Sequence, residues 1–296
     1  MAINIPETTK HGKYTMKLVR DTNSKKILVR TLYQFARFAT HLEAQGYIVG
    51  RKLVEKGKDA YVAYISTTTV PKSEQKVQLS KMHGKMQDVG GLNTATNLNA
   101  GCRAAFRGKT KGGCDPTICS SCYSMKGLVE GKTGNPAKAT SIQMLNRNTR
   151  LLNRGPLANI PKITTKFFRF SAEGDLNSEQ HLLNFFAIAR ANPNTHFTLW
   201  TKRHAIVSAV LANHSKPRNF FLIQSSLRVN TPEILRAGYT KVFTVYTPAY
   251  LKEHPEIKIN CGAKSCVSCQ LCYTTNGTQI VNERLKGKGF KIGKTP

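Results

Sequence analysis

Between residues 136 and 247, short apolar runs alternate with segments in which apolar residues return every three or four positions. The runs are FFRF (167–170), FTLW (197–200), FFLI (220–223) and VFTV (242–245). Each is brief, rich in aromatic and β-branched residues, and followed by polar residues or tyrosine, the pattern of a buried strand. The intervening segments read as helices. In PAKATSIQMLNRNTRLLN (136–153), Ile142, Leu145 and Leu151 fall near one face. NSEQHLLNFFAIARANP (177–193) opens on a Ser/Glu start and stops at a proline. AIVSAVLANH (205–214) is a third helix and PEILRAG (232–238) a short fourth. Strands alternating with helices imply right-handed βαβ units and a parallel sheet. The fold class is therefore α/β, as a partial TIM-like βα barrel or an open parallel sheet.

The pattern differs before this region. Residues 1–66 read as a small α+β appendage: strands at YTMKLV (14–19), YIVGRKLV (47–54) and DAYVAYIST (59–67), with a helix over 31–47 whose apolar face holds Leu32, Phe35, Phe38, Ala39 and Leu42. Residues 67–113 carry Gly, Asn, Thr and Lys in place of core residues and read as an irregular basic linker. Residues 114–296 then form the βα core with a basic tail.

Charge changes the picture more than overall hydrophobicity does. The chain carries 45 Lys+Arg against 16 Asp+Glu, a formal charge of +29. Folding does not need this excess, and self-repulsion opposes it; a polyanion offsets it, and nucleic acid is the usual one. Arg103, Arg107, Lys109 and Lys111 in CRAAFRGKTKGGC are the candidate contacts, with a merely solvated loop as the alternative. No apolar run approaches the ~18 residues that argue for a membrane helix, and the N-terminus lacks the apolar core of an export signal. A cytosolic location is expected.

The chain has eight cysteines, seven of them in two knots. Cys114, Cys119 and Cys122 form C-x4-C-x2-C, with Cys102 as a less certain fourth member. Cys261, Cys266, Cys269 and Cys272 form C-x4-C-x2-C-x2-C. Reducing surroundings disfavour disulfides, and two-residue gaps let a short turn aim two thiolates at one centre. Three thiolates within seven residues match the ferredoxin-type run that holds a 4Fe–4S cluster. One or two such clusters are expected. Zinc remains the alternative at one or both knots, as does pooling of thiols between them. A cluster held by three thiolates would leave one iron open to a small-molecule ligand.

In a parallel sheet the functional face lies at the strand C-terminal ends. Those ends hold Glu173 and Asp175 around Gly174, then Lys202 and Arg203, then Gln224. Glu173, Asp175 and Lys202 are the candidate catalytic residues. With Gln224 they are expected to line one cavity, with the first knot at its rim. The competing role for Asp175 is to begin the following helix.

The cysteine runs, with AKATSIQMLNRNT, FFRFSAEGDLNSEQHLLNFFAIARANPNTHFTLWTKR, FFLIQSS and IVNERLK, resemble the bacteriophage gene product eighty-eight family over about residues 100–286. That resemblance implies a phage-encoded protein with cysteine-bound metal, working in the cytoplasm of the infected host cell, and supplies no reaction. A more distant resemblance is to radical S-adenosylmethionine enzymes, whose partial βα barrel carries three cysteines at C-x3-C-x2-C. Here the spacing is C-x4-C-x2-C, Tyr123 follows the third cysteine where that family has an aromatic before it, and SAEGD stands where its Gly/Glu loop falls. Three roles are open: an iron–sulfur protein docking on nucleic acid, a cluster-dependent enzyme at the strand ends, and a metal-stapled structural phage protein.

Overall fold

The computed structural model describes residues 8–11, 14–17, 20–21, 26–29, 48–53, 61–66, 76–107, 117–122, 124–125 and 136–285. The chain divides into two compact units, Met1–Gln75 and Lys76–Pro296. In the first, β1 (Thr8–His11) and β2 (Tyr14–Lys17) form an antiparallel hairpin. Strands β3 (Arg20–Asp21), β4 (Lys26–Val29), β5 (Ile48–Leu53) and β6 (Tyr61–Ser66) form an antiparallel sheet in the order β3-β4-β6-β5. The strands read at 14–19, 47–54 and 59–67 fall on β2, β5 and β6. The helix read over 31–47 lies outside the described residues.

The second unit is built on one open sheet of six parallel strands. They are β7 (Gly90–Leu92), β8 (Phe167–Phe170), β9 (His196–Thr201), β10 (Phe220–Ser225), β11 (Lys241–Tyr246) and β12 (Ile280–Arg284). Neighbours in the chain are neighbours in the sheet throughout. The sheet is open, with β7 and β12 at its edges, and does not close into a barrel. The four central strands are those the apolar runs predict. The edge strands come from segments read otherwise. β7 lies in the segment taken as a linker, and β12 enters the segment taken as a tail. A three-residue GGL strand shows no alternation, and IVNER is half polar, as an edge strand tolerates.

The described helices are α1 (Ala100–Arg107), α2 (Pro136–Arg154), α3 (Glu179–Ala191), α4 (His204–Asn213), α5 (Pro248–Glu253) and the single turn α6 (Cys266–Cys269). Ser178 caps α3 by accepting from His181 N at 3.2 Å. Among the described residues no helix is long and apolar enough to cross a membrane. Right-handed crossovers between sequential parallel strands put connecting helices on one face. That face is packed by Phe168, Phe170, Phe197, Leu199, Phe220 and Leu222 against Leu182, Phe185, Phe186 and Val207. Phe170 sits at its centre, 4.0 Å from the Phe185 ring and 5.3 Å from Phe197. The opposite face carries the alternate residues, among them Phe167, Trp200, Phe243 and Val281. The cover on that face is the segment with the second cysteine knot: Cys272 and Tyr273 are buried there, with Cys261 and Cys266 packed alongside.

PEILRAG is not a helix: Ile234 and its neighbours form an irregular loop. Gln224 explains this. Its Nε2 donates to the Ile234 carbonyl and its Oε1 accepts from Arg236 N, each at 2.9 Å, so a buried side chain takes backbone groups that a helix would use.

Candidate metal centres and strand-end site

β8 leaves the sheet through Ser171 (φ 51°) and turns at Gly174 (φ 90°). A Cβ at Gly174 would stand 2.1 Å from Thr94 Oγ1 and 2.7 Å from the Thr94 carbonyl oxygen, so only glycine fits. The turn aims Asp175 across to β9. Its Oδ1 accepts from Thr201 Oγ1 at 2.6 Å and from Leu176 N at 2.7 Å, and its Oδ2 from Lys202 N at 3.2 Å. Asn99 Nδ2 donates to the Asp175 and Leu176 carbonyls, both at 2.9 Å. Asp175 is thus a clamp between two strand ends, and the cap of α3 is Ser178 instead.

Glu173 is held differently. Its backbone N–H donates to Asn93 Oδ1 and its carbonyl accepts from Thr94 N, both at 3.1 Å. Its carboxylate has no hydrogen bond or ion pair among the described residues, and burial raises its pKa. Lys202 Nζ donates to Ser225 Oγ at 3.0 Å. Beside it opens a cavity of about 490 Å3 lined by Lys202, His204, Leu227, Glu233, Leu235 and Arg236, among others. Of the four residues expected in one cavity, Lys202 lines this one. Gln224 is fully buried and bonded to Glu233 Oε2 at 2.9 Å, behind the lining. His204, which the sequence reading missed, has Nδ1 2.9 Å from Tyr239 Oη and Nε2 3.3 Å from Glu233 Oε2. Burial lowers the His204 pKa, with Glu233 opposing.

The first thiol group lies at this same end. Ile118 N donates to the Leu227 carbonyl at 2.9 Å, and Thr117 bridges Arg228, so the knot segment docks on the loop after β10. The 3-10 turn Ile118–Ser121 carries Cys119, Cys122 follows it, and α1 brings Cys102. These three thiols lie close enough to act on one another's charge, and Asp175 and Arg203 act on Cys102 as well. Burial pushes Cys102 up to about 12, with Asp175 adding and Arg203 opposing. Burial also raises Cys119, with Lys202 opposing. Gly101 lets Arg203 in: a Cβ there would meet the guanidinium at 1.5 Å. Arg203 Nη2 donates to Asn99 Oδ1 at 3.1 Å. Cys114 lies outside the described residues.

The second group sits on the face opposite α3 and α4, the inner face. Cys266 and Cys269 bound α6, capped by Ser265, which accepts from Val267 N at 3.2 Å. Cys261 is fixed by its N–H to the Asn282 carbonyl on β12 at 3.0 Å. Burial pushes Cys272 up to about 12, with Cys261, Cys266 and Cys269 adding and Arg169 opposing. Burial raises Cys266, with Lys85 and Arg169 opposing. Lys85 Nζ donates to Cys261 Sγ at 3.4 Å and to Glu283 Oε1 at 2.9 Å. Burial disfavours the Lys85 charge, but Glu283 and Cys261 outweigh it and hold the pKa above the usual lysine range.

Among the described residues no cysteine forms a disulfide. The described cysteines fall into two sets, Cys102 with Cys119 and Cys122, and Cys261 with Cys266, Cys269 and Cys272. Among the described residues no three His, Cys, Asp or Glu side chains already converge in metal-ligating geometry. The donor chemistry of the second set nevertheless fits a soft metal centre: four neighbouring thiols, with two cations that favour their thiolate form. Of the basic candidates, Arg103 is tied back to the Asn97 carbonyl at 2.6 Å. Arg107 ends α1, and Lys109 and Lys111 lie outside the described residues.

Neither a curated protein nor a solved structure matches the chain. A family model does, that of gene product 88, over residues 66–288. Its span takes in the whole six-stranded sheet and both cysteine groups, the parts whose sequence carried the phage-family resemblance. The chain belongs to the gene product 88 family.

Proposed function

We propose that this phage-family protein is an iron–sulfur protein that docks on nucleic acid inside the infected cell. The observation that carries the metal reading is the gathering of Cys261, Cys266, Cys269 and Cys272 into one set of thiols beside Lys85 and Arg169. A 4Fe–4S cluster bound there would supply redox-active iron and a rigid cross-link; zinc would supply the cross-link alone. The chain's own part is to tie β12, α6 and the turn before β7 to one face of the sheet. The nucleic-acid reading rests on the +29 charge. Binding by counterion release weakens steeply with salt. Titrating a fluorescent single- or double-stranded oligonucleotide across salt concentrations tests it, and replacing Arg107, Lys109 and Lys111 together by Gln should flatten the slope. No binding at low salt refutes it.

A second reading, a cluster-dependent enzyme, is favoured by one observation. The Cys102, Cys119 and Cys122 thiols share the strand-end edge with Glu173, Asp175 and Lys202 and with the cavity. In this reading Asp175 positions Lys202 through its backbone, Lys202 holds an anionic group of the substrate, and Glu173 moves a proton. The radical S-adenosylmethionine likeness belongs to this reading and rests on the cysteine triplet. Incubating reduced protein with that cofactor and looking for its cleavage tests it, and intact cofactor counts against it.

A further inference from the structure

Arg169 interrupts the apolar run of β8, with Phe168 and Phe170 on either side turned into the helix-side core. Its side chain emerges on the other face, over the second thiol group. The guanidinium carbon lies 4.0 Å from the centre of the Trp200 ring, and Nη1 lies 3.3 Å from Met86 Sδ. Among the described residues its buried Nε has no hydrogen-bond partner and no carboxylate pairs with this side chain. Its charge reaches both Cys266 and Cys272. Lys85 stands in contrast, because Glu283 at 2.9 Å balances it and leaves a hydrogen bond to Cys261 as its part.

A half-buried cation with a buried, unsatisfied N–H is costly unless a negative group lies near. A tryptophan face offsets part of that cost. Four protonated thiols offset none, whereas four thiolates on a metal carry net negative charge. Resting on the metal reading above, we infer that Arg169 is the counter-charge of the inner-face centre, a positioning residue that stabilises a net-negative tetrathiolate site. Removing such a partner just outside the ligands typically weakens metal binding by about 10- to 100-fold.

The test is metal release from the full chain into excess chelator, followed for the metal that the Cys269→Ser variant lacks. Arg169→Met keeps an apolar stem against Trp200 and removes the charge. It should release that metal about 10- to 100-fold more readily, and Arg169→Lys should restore most of the retention. If the bound metal is an iron–sulfur cluster, the Arg169→Met variant should also shift its reduction potential to more negative values, which a purely packing role would not do. Should Arg169→Met fail to fold, Arg169→Lys and Lys85→Met decide between charge and packing: retention that follows charge supports the inference. Unchanged release in Arg169→Met, or equal loss in the Met and Lys variants, overturns it while leaving the metal reading intact. Wild-type protein without metal at this group overturns both.

Discussion

The two thiol groups use the same residue type at similar spacing and are built for different surroundings. The group at Cys102, Cys119 and Cys122 stands at the strand C-terminal ends. Its neighbours are a clamped acid, Asp175, two cations, Lys202 and Arg203, and an open cavity. The group at Cys261, Cys266, Cys269 and Cys272 lies on the inner face, packed with Val281, Phe167 and Tyr273. One group borders a cavity and the other takes part in an apolar core. The lesson is that cysteine spacing identifies donors but not their task, which depends on where the sheet puts them.

That contrast breaks most readily by removing thiols. Cys272 is buried in the inner-face cluster, so Cys272→Ser should lose the second centre and its cross-link together, costing several kcal/mol of stability, about the scale of losing a structural metal or disulfide. Cys119→Ser should lose strand-end metal with a much smaller drop in melting temperature. Equal drops would erase the distinction.

A control lies on the helix face, away from the inner-face group. His181 is fully buried, and burial lowers its pKa to about 3. Its Nδ1 accepts from Asn177 N at 3.3 Å, and Nε2 has no partner among the described residues. In the unfolded chain the ring protonates below its ordinary 6.5, whereas in the folded chain it does so only near 3. Stability is therefore lost as pH falls from 6.5 towards 3, by up to on the order of 5 kcal/mol. Denaturation midpoints measured against pH should show this slope, and His181→Leu should remove it while leaving any slope due to thiol protonation.

Smaller effects separate the two acids at the strand ends. Asp175→Ala leaves the Thr201 hydroxyl and two backbone N–H groups without their acceptor. It should cost about 1–3 kcal/mol and reduce metal at the strand-end group, while inner-face metal is retained. Glu173→Gln should change stability and metal content least of all, because among the described residues its carboxylate has no partner to lose. It should instead impair ligand binding or turnover at the strand ends. If Glu173→Gln unfolds the protein, that carboxylate is structural and the enzyme reading loses its proton carrier.

Much of this architecture was legible from residue patterns. FFRF, FTLW, FFLI and VFTV announce the four central strands because strands buried on both faces need continuous apolar runs. β7 and β12 were not legible: GGL is too short to show a period although Gly91 and Leu92 are buried, and IVNER is half polar. PEILRAG satisfies helix propensity, yet Gln224, nine or more residues earlier in the chain, captures its backbone. At the strand ends the sequence exposed Asp175 and Lys202, but not that Asp175 is spent on a clamp. Arg169 had a readable signal, a charge inside an apolar strand. Lys85 and His204 had none, since their partners Cys261, Glu283, Glu233 and Tyr239 are distant in the chain.

The most direct measurement is the metal and acid-labile sulfide content of anaerobically purified wild type, Cys269→Ser and Cys119→Ser. Two independent thiol groups predict a brown wild type with about four irons per cluster. Cys269→Ser should lose the inner-face complement while the strand-end complement is retained, and Cys119→Ser should do the reverse. A metal-free, colourless wild type, or a single serine variant that empties both groups at once, would contradict the account.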